Sequence, residues 1–526
     1  MSGRSWDHVA DIVIVGSGAA GYSAAITARS RGAEVIMIEK AASHGGTTMR
    51  SGGGFWTPNN RFQREKGIDD PKEDAVRYMA RYSFPQLFNP NAPRLGLPQN
   101  EYDLITAFYD NASRMTDFLT EVGAVNMIQQ INWTGKPQVD YQDHLPENKG
   151  IRGRVLYPMT KDGKMSYGFE LIRQFKAWAD AHGTSLVLDH RVSKIVRNGQ
   201  GEVIGVEATN NNSTVSFRAK KAVIFCSGGF THHPDLMLHF QRGPHFGGCS
   251  VPTNTGDFVF LGGAIGAQLG NMAGAFRSEL VLEQALSDPG GSHNAFFIMG
   301  DSVIEVNRYG HRIMDEKRNY TDRAMVHFVW DPQRAEWTNM LVFLIFDKRT
   351  ADLWNGVYPV PGPGASAPYI IKGDSMEELS ESIRQRLIHL APQTGGFQLD
   401  NGFPGNLKKT VKRFNKFAAS GSDLDFHRGD FAYDREWPTF PPTASANADM
   451  YDSMSSIDTG TGERWPPKGS KNYTMFPISE KGPYYAIIMA AGTLDTNGGP
   501  LINSKAQVLD TQNRPIPGLY GAGNCI

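Results

Sequence analysis

Three glycines near the start of the chain, Gly16, Gly18 and Gly21, stand in the spacing Gly-x-Gly-x-x-Gly, and Glu39 follows about 20 residues further on. These residue types suit one task, holding the diphosphate of a dinucleotide. The first glycine permits a tight turn, the second lets backbone approach the pyrophosphate, and the third lets a helix pack closely on a strand. The helix N-terminus supplies partial positive charge, and the acidic residue takes ribose hydroxyls. Ala19 and Ala20 fill the variable positions, and Lys40 follows Glu39. The fingerprint alone does not choose between NAD and FAD. A second run, from Ser43 to Asn60, contains Gly45, Gly46, Gly52, Gly53 and Gly54, too much glycine for a regular element. It suits a loop whose backbone comes close to a ligand. His232, His233 and His239 lack an acidic or cysteine partner at metal spacing, so no metal is expected. There is no Gly-x-Ser-x-Gly elbow and no Cys/His nucleophile signature.

The elements that must position these groups are legible around them. Asp11-Ile-Val-Ile-Val15 is a β-branched apolar run, the alanine-rich stretch after it ends near Arg31, and Gly32 stops it. Glu34-Val-Ile-Met-Ile38 then completes a βαβ unit of about 30 residues. Helical spacing recurs at 101–123, 169–181 and 376–390, and the Gly/Pro-rich stretch 134–164 reads as a loop. Short strand-like runs lie at 185–188, 194–196, 203–207 and 222–226, the last ending in Ser227-Gly-Gly229. Residues 286–480 change character, with Pro-rich patches at 359–363 and 438–442. The expected fold is α/β: a Rossmann-like dinucleotide-binding domain (parallel sheet with helices) over 1–285, interrupted by a smaller α+β domain over 286–480, and resumed over 481–526.

At 526 residues the chain exceeds what one core usually supports. With 40% hydrophobic and 20% charged residues it reads as a folded soluble protein. A net charge of -1 without a Lys/Arg run excludes the footprint of a nucleic-acid binder and points to a small-molecule partner. Cys226, Cys249 and Cys525 form no CxxC pair, which fits a reducing compartment, so a cytoplasmic location is expected. No apolar run spans a bilayer, leaving at most peripheral membrane contact.

The stretch Glu39 to Asn60, with Cys226-Ser-Gly-Gly-Phe230 and Gly518-Leu-Tyr-Gly-Ala-Gly-Asn524, resembles the succinate dehydrogenase and fumarate reductase flavoprotein superfamily, and within it the 3-ketosteroid dehydrogenase group. The likeness touches both ends and the middle, while 330–475 carries no matching motif. It implies FAD lying extended through the first domain, with Gly45, Gly46, Thr47, Ser51, Gly52 and Gly53 along its phosphates and flavin. Ser227, Gly228, Gly229, Gly523 and Asn524 would join the cofactor-binding set. Relatives that attach the flavin covalently place a His where Thr47 aligns, and His44 lies three residues earlier, so noncovalent FAD is implied.

Gly310-His-Arg-Ile-Met-Asp-Glu-Lys-Arg-Asn-Tyr-Thr321 resembles the superfamily's Gly-x-Arg-Phe followed by an acidic residue, with Ile313 for the Phe. Tyr320 stands where fumarate reductases carry a proton-donating Arg. The resemblance then implies a 3-ketosteroid Δ1-dehydrogenase in which Tyr320 removes the proton from carbon 2 and flavin N5 takes the hydride from carbon 1. Tyr141 would support that base, and Tyr485, with a backbone N–H from a turn at 490–492 that includes Gly492, would bind the ketone oxygen. A free Tyr titrates near 10, so a hydrogen bond from Tyr141 is expected to stabilise ionised Tyr320. The substrate would be a steroid ketone, and an unidentified electron acceptor would reoxidise the flavin. The rivals are a 4-dehydrogenase of 3-keto-5α-steroids, a fumarate-reductase-like enzyme and a noncatalytic flavin-binding relative. Three departures stand out: Ala491-Gly-Thr-Leu-Asp-Thr496 for Pro-Gly-Asp-Leu-Gly-Thr, Phe258 for a Gly, and an end at Ile526 where relatives continue, read as a truncation.

Overall fold

The computed structural model describes residues 5–211, 213–362, 365–439 and 469–526. Most of the Pro-rich patch at 438–442 lies outside them. The chain opens with β1 (His8–Val15), α1 (Ala19–Ser30) and β2 (Val35–Ile38). After α2 (Gly168–Ala181) come β3 (Ser185–Val187), β4 (Arg191–Arg197), β5 (Val203–Asn210) and β6 (Ser213–Phe225). Next are β7 (Ala275–Val281), β8 (Val303–Val306), α3 (Tyr320–Ala324), β9 (Leu341–Asp347) and β10 (Ile371–Gly373). Helices α4 (Met376–Thr394) and α5 (Phe403–Ser420) precede β11 (Tyr484–Thr496), β12 (Gln507–Leu509) and β13 (Pro515–Gly521).

The first sheet has eight strands in the order β12-β13-β6-β1-β2-β3, with β5 on β6 and β4 on β5. Its centre is parallel: β1 pairs with β2 and β6, β2 with β3, and β13 with β6. Strand β1 is central and covered on both faces, which explains its unbroken apolar run. Ile14 joins Tyr22, Ile26, Ile172 and Phe175 under α1 and α2, while Val13 and Val15 join Val206, Phe217 and Phe225 on the other face. The α/β class expected from the sequence is the one observed.

The second sheet is antiparallel, in the order β7-β11-β9-β8 with β10 also on β11. Alternation along β11 divides its side chains: Tyr484, Ala486, Ile488 and Ala490 pack toward α4 and α5, while Tyr485, Ile487 and Met489 face the opposite layer. This sheet draws β7 from before residue 286 and β11 from after residue 480. The segment 286–480 therefore contributes only part of it, because β7 and β11 must lie side by side to complete each other's ladder. The stretch 134–164 also contains a strand, Val155–Pro158, paired with Phe55–Trp56 and Met127–Gln129. Among the described residues no helix is long and apolar enough to cross a membrane.

Candidate active site at the junction of the two sheets

The glycine fingerprint forms a cradle at the end of β1. Gly16 adopts φ +106°, and a Cβ there would stand 2.3 Å from the Cys226 carbonyl oxygen; a Cβ on Gly21 would stand 2.1 Å from that of Gly16. Gly18 is different, since its nearest neighbour would be Thr48 Oγ1 at 3.6 Å. A Cβ there would make only ordinary van der Waals contact, leaving the position uncrowded at the start of α1, which carries no acidic residue in its first turn. The Ala19 amide donates to Thr48 Oγ1 at 3.1 Å, and Gly523 packs against Ala20. Glu39 is buried and accepts from the Ser17 amide (3.1 Å), the Ser17 hydroxyl (2.7 Å) and the Ala41 amide (3.0 Å). The turn, the uncrowded glycine and the acidic strand end fit a dinucleotide's diphosphate and ribose.

The second glycine loop lies directly on this cradle. Ser17 Oγ accepts from the Gly45 amide at 3.1 Å, and a Cβ on Gly46 would stand 3.8 Å from Gly18 Cα. Gly52 faces open space, whereas Gly53 packs on the start of α2, where a Cβ would be 2.5 Å from the Gly168 nitrogen. Ser51 Oγ donates to the Thr48 carbonyl and accepts from the Gly53 amide. Thr47 Oγ1 accepts from the Val251 amide (3.3 Å) and from Asn254 Nδ2 (3.2 Å). Lys40, expected among the cofactor-binding residues, instead donates to Thr255 Oγ1 (2.8 Å) and pairs with Asp257 (3.0 Å).

At the far side of the junction the Tyr141 hydroxyl donates to the Tyr320 hydroxyl at 3.1 Å, with the rings edge to face at 5.4 Å. Tyr320 opens α3, whose N-cap is Asn319. The Asn319 amide and the Arg318 guanidinium both donate to the Tyr141 carbonyl, at 3.2 and 2.9 Å, and Arg318 is held in turn by Asp434 and His144. Phe276 and Phe296 pack their edges around the Tyr320 ring at 5.6 and 5.1 Å. Burial pushes the Tyr320 phenol far above its ordinary pKa, and the bond from Tyr141 opposes that rise. Cys249 interacts electrostatically with both Tyr320 and Asp495. Its amide donates to the Thr493 carbonyl at 3.0 Å. Its thiol is pushed up to about 12 by burial and by the Asp495 carboxylate, with Arg50 acting against both.

Asp495, which departs from the family motif, is a junction of several segments. Its buried carboxylate accepts from Asn254 Nδ2 (2.7 Å), Thr231 Oγ1 (3.0 Å), the Gly229 amide (3.2 Å) and Asn524 Nδ2 (3.2 Å). Burial raises its pKa and these donors lower it. Gly228 and Gly229 exist to admit this cluster: a Cβ on the first would meet Asn254 at 2.7 Å, and on the second Asp495 at 2.4 Å. Ser227 lies beside the buried Cys525 thiol.

A sequence profile described as FAD binding domain matches residues 11–526. The chain belongs to the FAD-binding domain family. It is 28% identical to a 4-oxocyclohexanecarboxylate 2-dehydrogenase of Sinomonas cyclohexanicum, an alignment covering 98% of this chain and 87% of that one. It is 26% identical to a 3-oxosteroid 1-dehydrogenase of Mycolicibacterium smegmatis, covering 100% and 92%. The fold is that of the 3-ketosteroid Δ1-dehydrogenase of Sterolibacterium denitrificans, solved with 1,4-androstadiene-3,17-dione, at a TM-score of 0.78, 21% identity and coverage of 98% and 94%. The protein is thus an FAD-dependent oxidoreductase of the fumarate reductase flavoprotein superfamily.

Within this FAD-binding family member, two residues of the expected site, Tyr485 and Gly492, lie apart on one strand. Residues 490–492 form no turn; they are extended strand in the middle of β7–β11 pairing. Tyr485 consequently lies seven residues up the strand from Gly492, about 23 Å away at ~3.3 Å per residue. Its ring stacks on Phe346 at 5.4 Å, opposite β9 and β10, and it does not meet the Tyr141–Tyr320 pair. Gly492 is near the pair's end of β11 but engaged on the ladder. Ala491 and Thr493 direct their backbone groups to Phe246 and Gly247, so Gly492 directs its own to Ser278. A Cβ on Gly492 would meet Leu280 at 2.4 Å.

Proposed function

We propose that this protein desaturates a ring ketone, removing a proton from the carbon next to the carbonyl and a hydride from the carbon beyond it, with a 3-ketosteroid Δ1-dehydrogenation as the steroid form of that reaction. The carrying observation is the Tyr141–Tyr320 hydroxyl pair at 3.1 Å, with Tyr320 buried. Phe276, packed on Tyr320, pairs in the ladder with Asp495, which accepts from the Gly229 amide of the FAD cradle, and this connection supports a role in proton removal. Bound FAD supplies the acceptor for the hydride, and a separate electron acceptor reoxidises it. Tyr320 takes the proton from the carbon next to the ketone, and Tyr141, by donating to the Tyr320 oxygen, stabilises the charge on that oxygen. Phe276 and Phe296 exclude water from the pair and give a flat ring an apolar bed. Two relatives named for ring-ketone dehydrogenation, one on a cyclohexane ketone and one on a steroid, support the same reading. FAD is held without a covalent bond, a reading supported by Thr47 in the loop and by the engagement of its hydroxyl with Val251 and Asn254.

The test is anaerobic mixing of the FAD-loaded protein with androst-4-ene-3,17-dione, with 4-oxocyclohexanecarboxylate and with a 5α-saturated 3-ketosteroid, following flavin absorbance and the products. Bleaching with a new carbon–carbon double bond next to the ketone is the expected result. The position of the double bond separates 1- from 4-dehydrogenation. Inert flavin with all three, and reoxidation of reduced flavin by fumarate, would overturn the proposal in favour of a fumarate-reductase-like enzyme. Retained flavin without any turnover would leave a binding protein.

A further inference from the structure

One buried cation beside the tyrosine pair has no anion. Arg277 is 7% exposed, and no carboxylate among the described residues pairs with it. Its guanidinium meets His245 Nε2 at 3.2 Å, Gln241 Oε1 at 3.0 Å and the Ala273 carbonyl at 3.5 Å, and it lies over the Phe328 ring at 4.3 Å. These partners are all neutral. A buried charge ordinarily requires a counter-charge, because desolvation otherwise disfavours it. Its pKa is accordingly lowered to about 10 by burial. His245 is held neutral, its pKa pushed down to about 3 by burial and by Arg277. Its Nε2 accepts from Arg277, so its proton sits on Nδ1, which faces the Arg242 carbonyl without a bond of ordinary geometry.

The location gives this cation its meaning. Arg277 follows Phe276, whose ring packs on Tyr320 and whose side chain is 40% exposed. Simple alternation would turn neighbours to opposite faces of the sheet. The ladder shifts register here, with Leu494 of β11 as the extra residue, and at this edge Phe276 contacts Tyr320 of α3 while Arg277 lies over Phe328 of the turn after it. The apolar bed of the tyrosine pair and the unpaired guanidinium are therefore adjacent.

We infer that Arg277, with Gln241 and His245 holding it, is a subsite for the carboxylate of a ring-ketone acid whose ring lies on Phe276 and reaches Tyr320. This rests on the ring-ketone reading above and narrows it to a substrate that carries both a ketone and an acid. A carboxylate would supply the missing charge and accept two hydrogen bonds from the guanidinium. A neutral steroid offers nothing for this group.

The experiment compares 4-oxocyclohexanecarboxylate with its methyl ester on the holoenzyme, and measures thermal stabilisation by cyclohexanecarboxylate, which has no ketone. Wild type is expected to favour the acid by about tenfold or more in KM. Arg277→Gln is expected to lose that preference, with KM for the acid rising to that for the ester, Arg277→Lys to keep part of it, and cyclohexanecarboxylate to stabilise wild type but not Arg277→Gln. Equal use of acid and ester by wild type, or an acid preference that survives in a flavin-loaded Arg277→Gln, overturns the inference and leaves the ring-ketone reading standing. Absence of ketone turnover, with cyclohexanecarboxylate still stabilising wild type alone, overturns the reaction and supports the anion site.

Discussion

The guanidinium of Arg318 donates to the backbone carbonyl of Tyr141 at 2.9 Å, across 177 residues of chain. That bond, with the one from Asn319, fixes the loop carrying Tyr141 to the N-terminus of the helix carrying Tyr320. Arg318 is a positioning residue. Tyr141→Phe is expected to fold and bind FAD normally but to slow flavin reduction by about 10- to 100-fold, because the charge on the Tyr320 oxygen loses its donor. Stopped-flow reduction with an unchanged flavin spectrum at rest is the measurement. A rate within twofold of wild type would remove Tyr141 from the mechanism.

Tyr320→Phe removes the proton acceptor and keeps the ring that packs on Phe276 and Phe296. A loss of about 10²- to 10⁴-fold in ketone-driven flavin reduction is expected, with FAD content and melting temperature near those of wild type. Comparable turnover in this variant would show that another group takes the proton.

The direction of the Tyr320 shift sets a pH dependence. Burial raises its pKa above the ordinary value, so the ionised phenol that acts as base is a small fraction at neutral pH. That fraction, and the reduction rate with it, grows about tenfold per pH unit below the pKa. The rate should therefore climb from pH 7 to 10 without levelling, and the climb should vanish in Tyr320→Phe. A plateau below pH 8 contradicts ionised Tyr320 as the base.

Tyr485 lies at the opposite end of β11, stacked on Phe346. Tyr485→Phe is expected to leave kcat and KM within about twofold, as befits a substitution away from the reacting groups. A large rise in KM for a ketone would return Tyr485 to the site.

Asp495 gathers five donors, the adjacent Thr496 amide and four from three distant segments of the chain. Asp495→Ala leaves the Gly229 amide, Thr231 and Asn254 without their acceptor, a destabilisation of about 1–3 kcal/mol or more. Thermal unfolding of the holoenzyme should register it together with weaker FAD retention. An unchanged melting temperature and full flavin occupancy would make the cluster dispensable.

What the sequence alone determined is the cradle, and the reason is locality. Gly16, Gly18, Gly21 and Glu39 belong to one βαβ unit, so their spacing already specifies their relation in space, and β1's apolar run already declares a strand covered on both faces. The helix at Phe403–Ser420 was equally local, with Leu407, Val411, Phe414 and Phe417 at helical spacing, but it lies in a stretch without a motif and went unread. Family likeness brought Tyr141 and Tyr320 into view, yet their contact, 179 residues apart, exists only because Arg318 and Asn319 tie two segments together. The same likeness grouped Tyr485 with Gly492, seven residues away, where an extended strand carries them far apart. Asp495 stood out in the sequence only within a departure from the family motif, and Arg277 had no sequence signal at all. Their roles arise from burial and from partners in distant segments, and burial is what turns an ordinary carboxylate or guanidinium into a group that must find a partner.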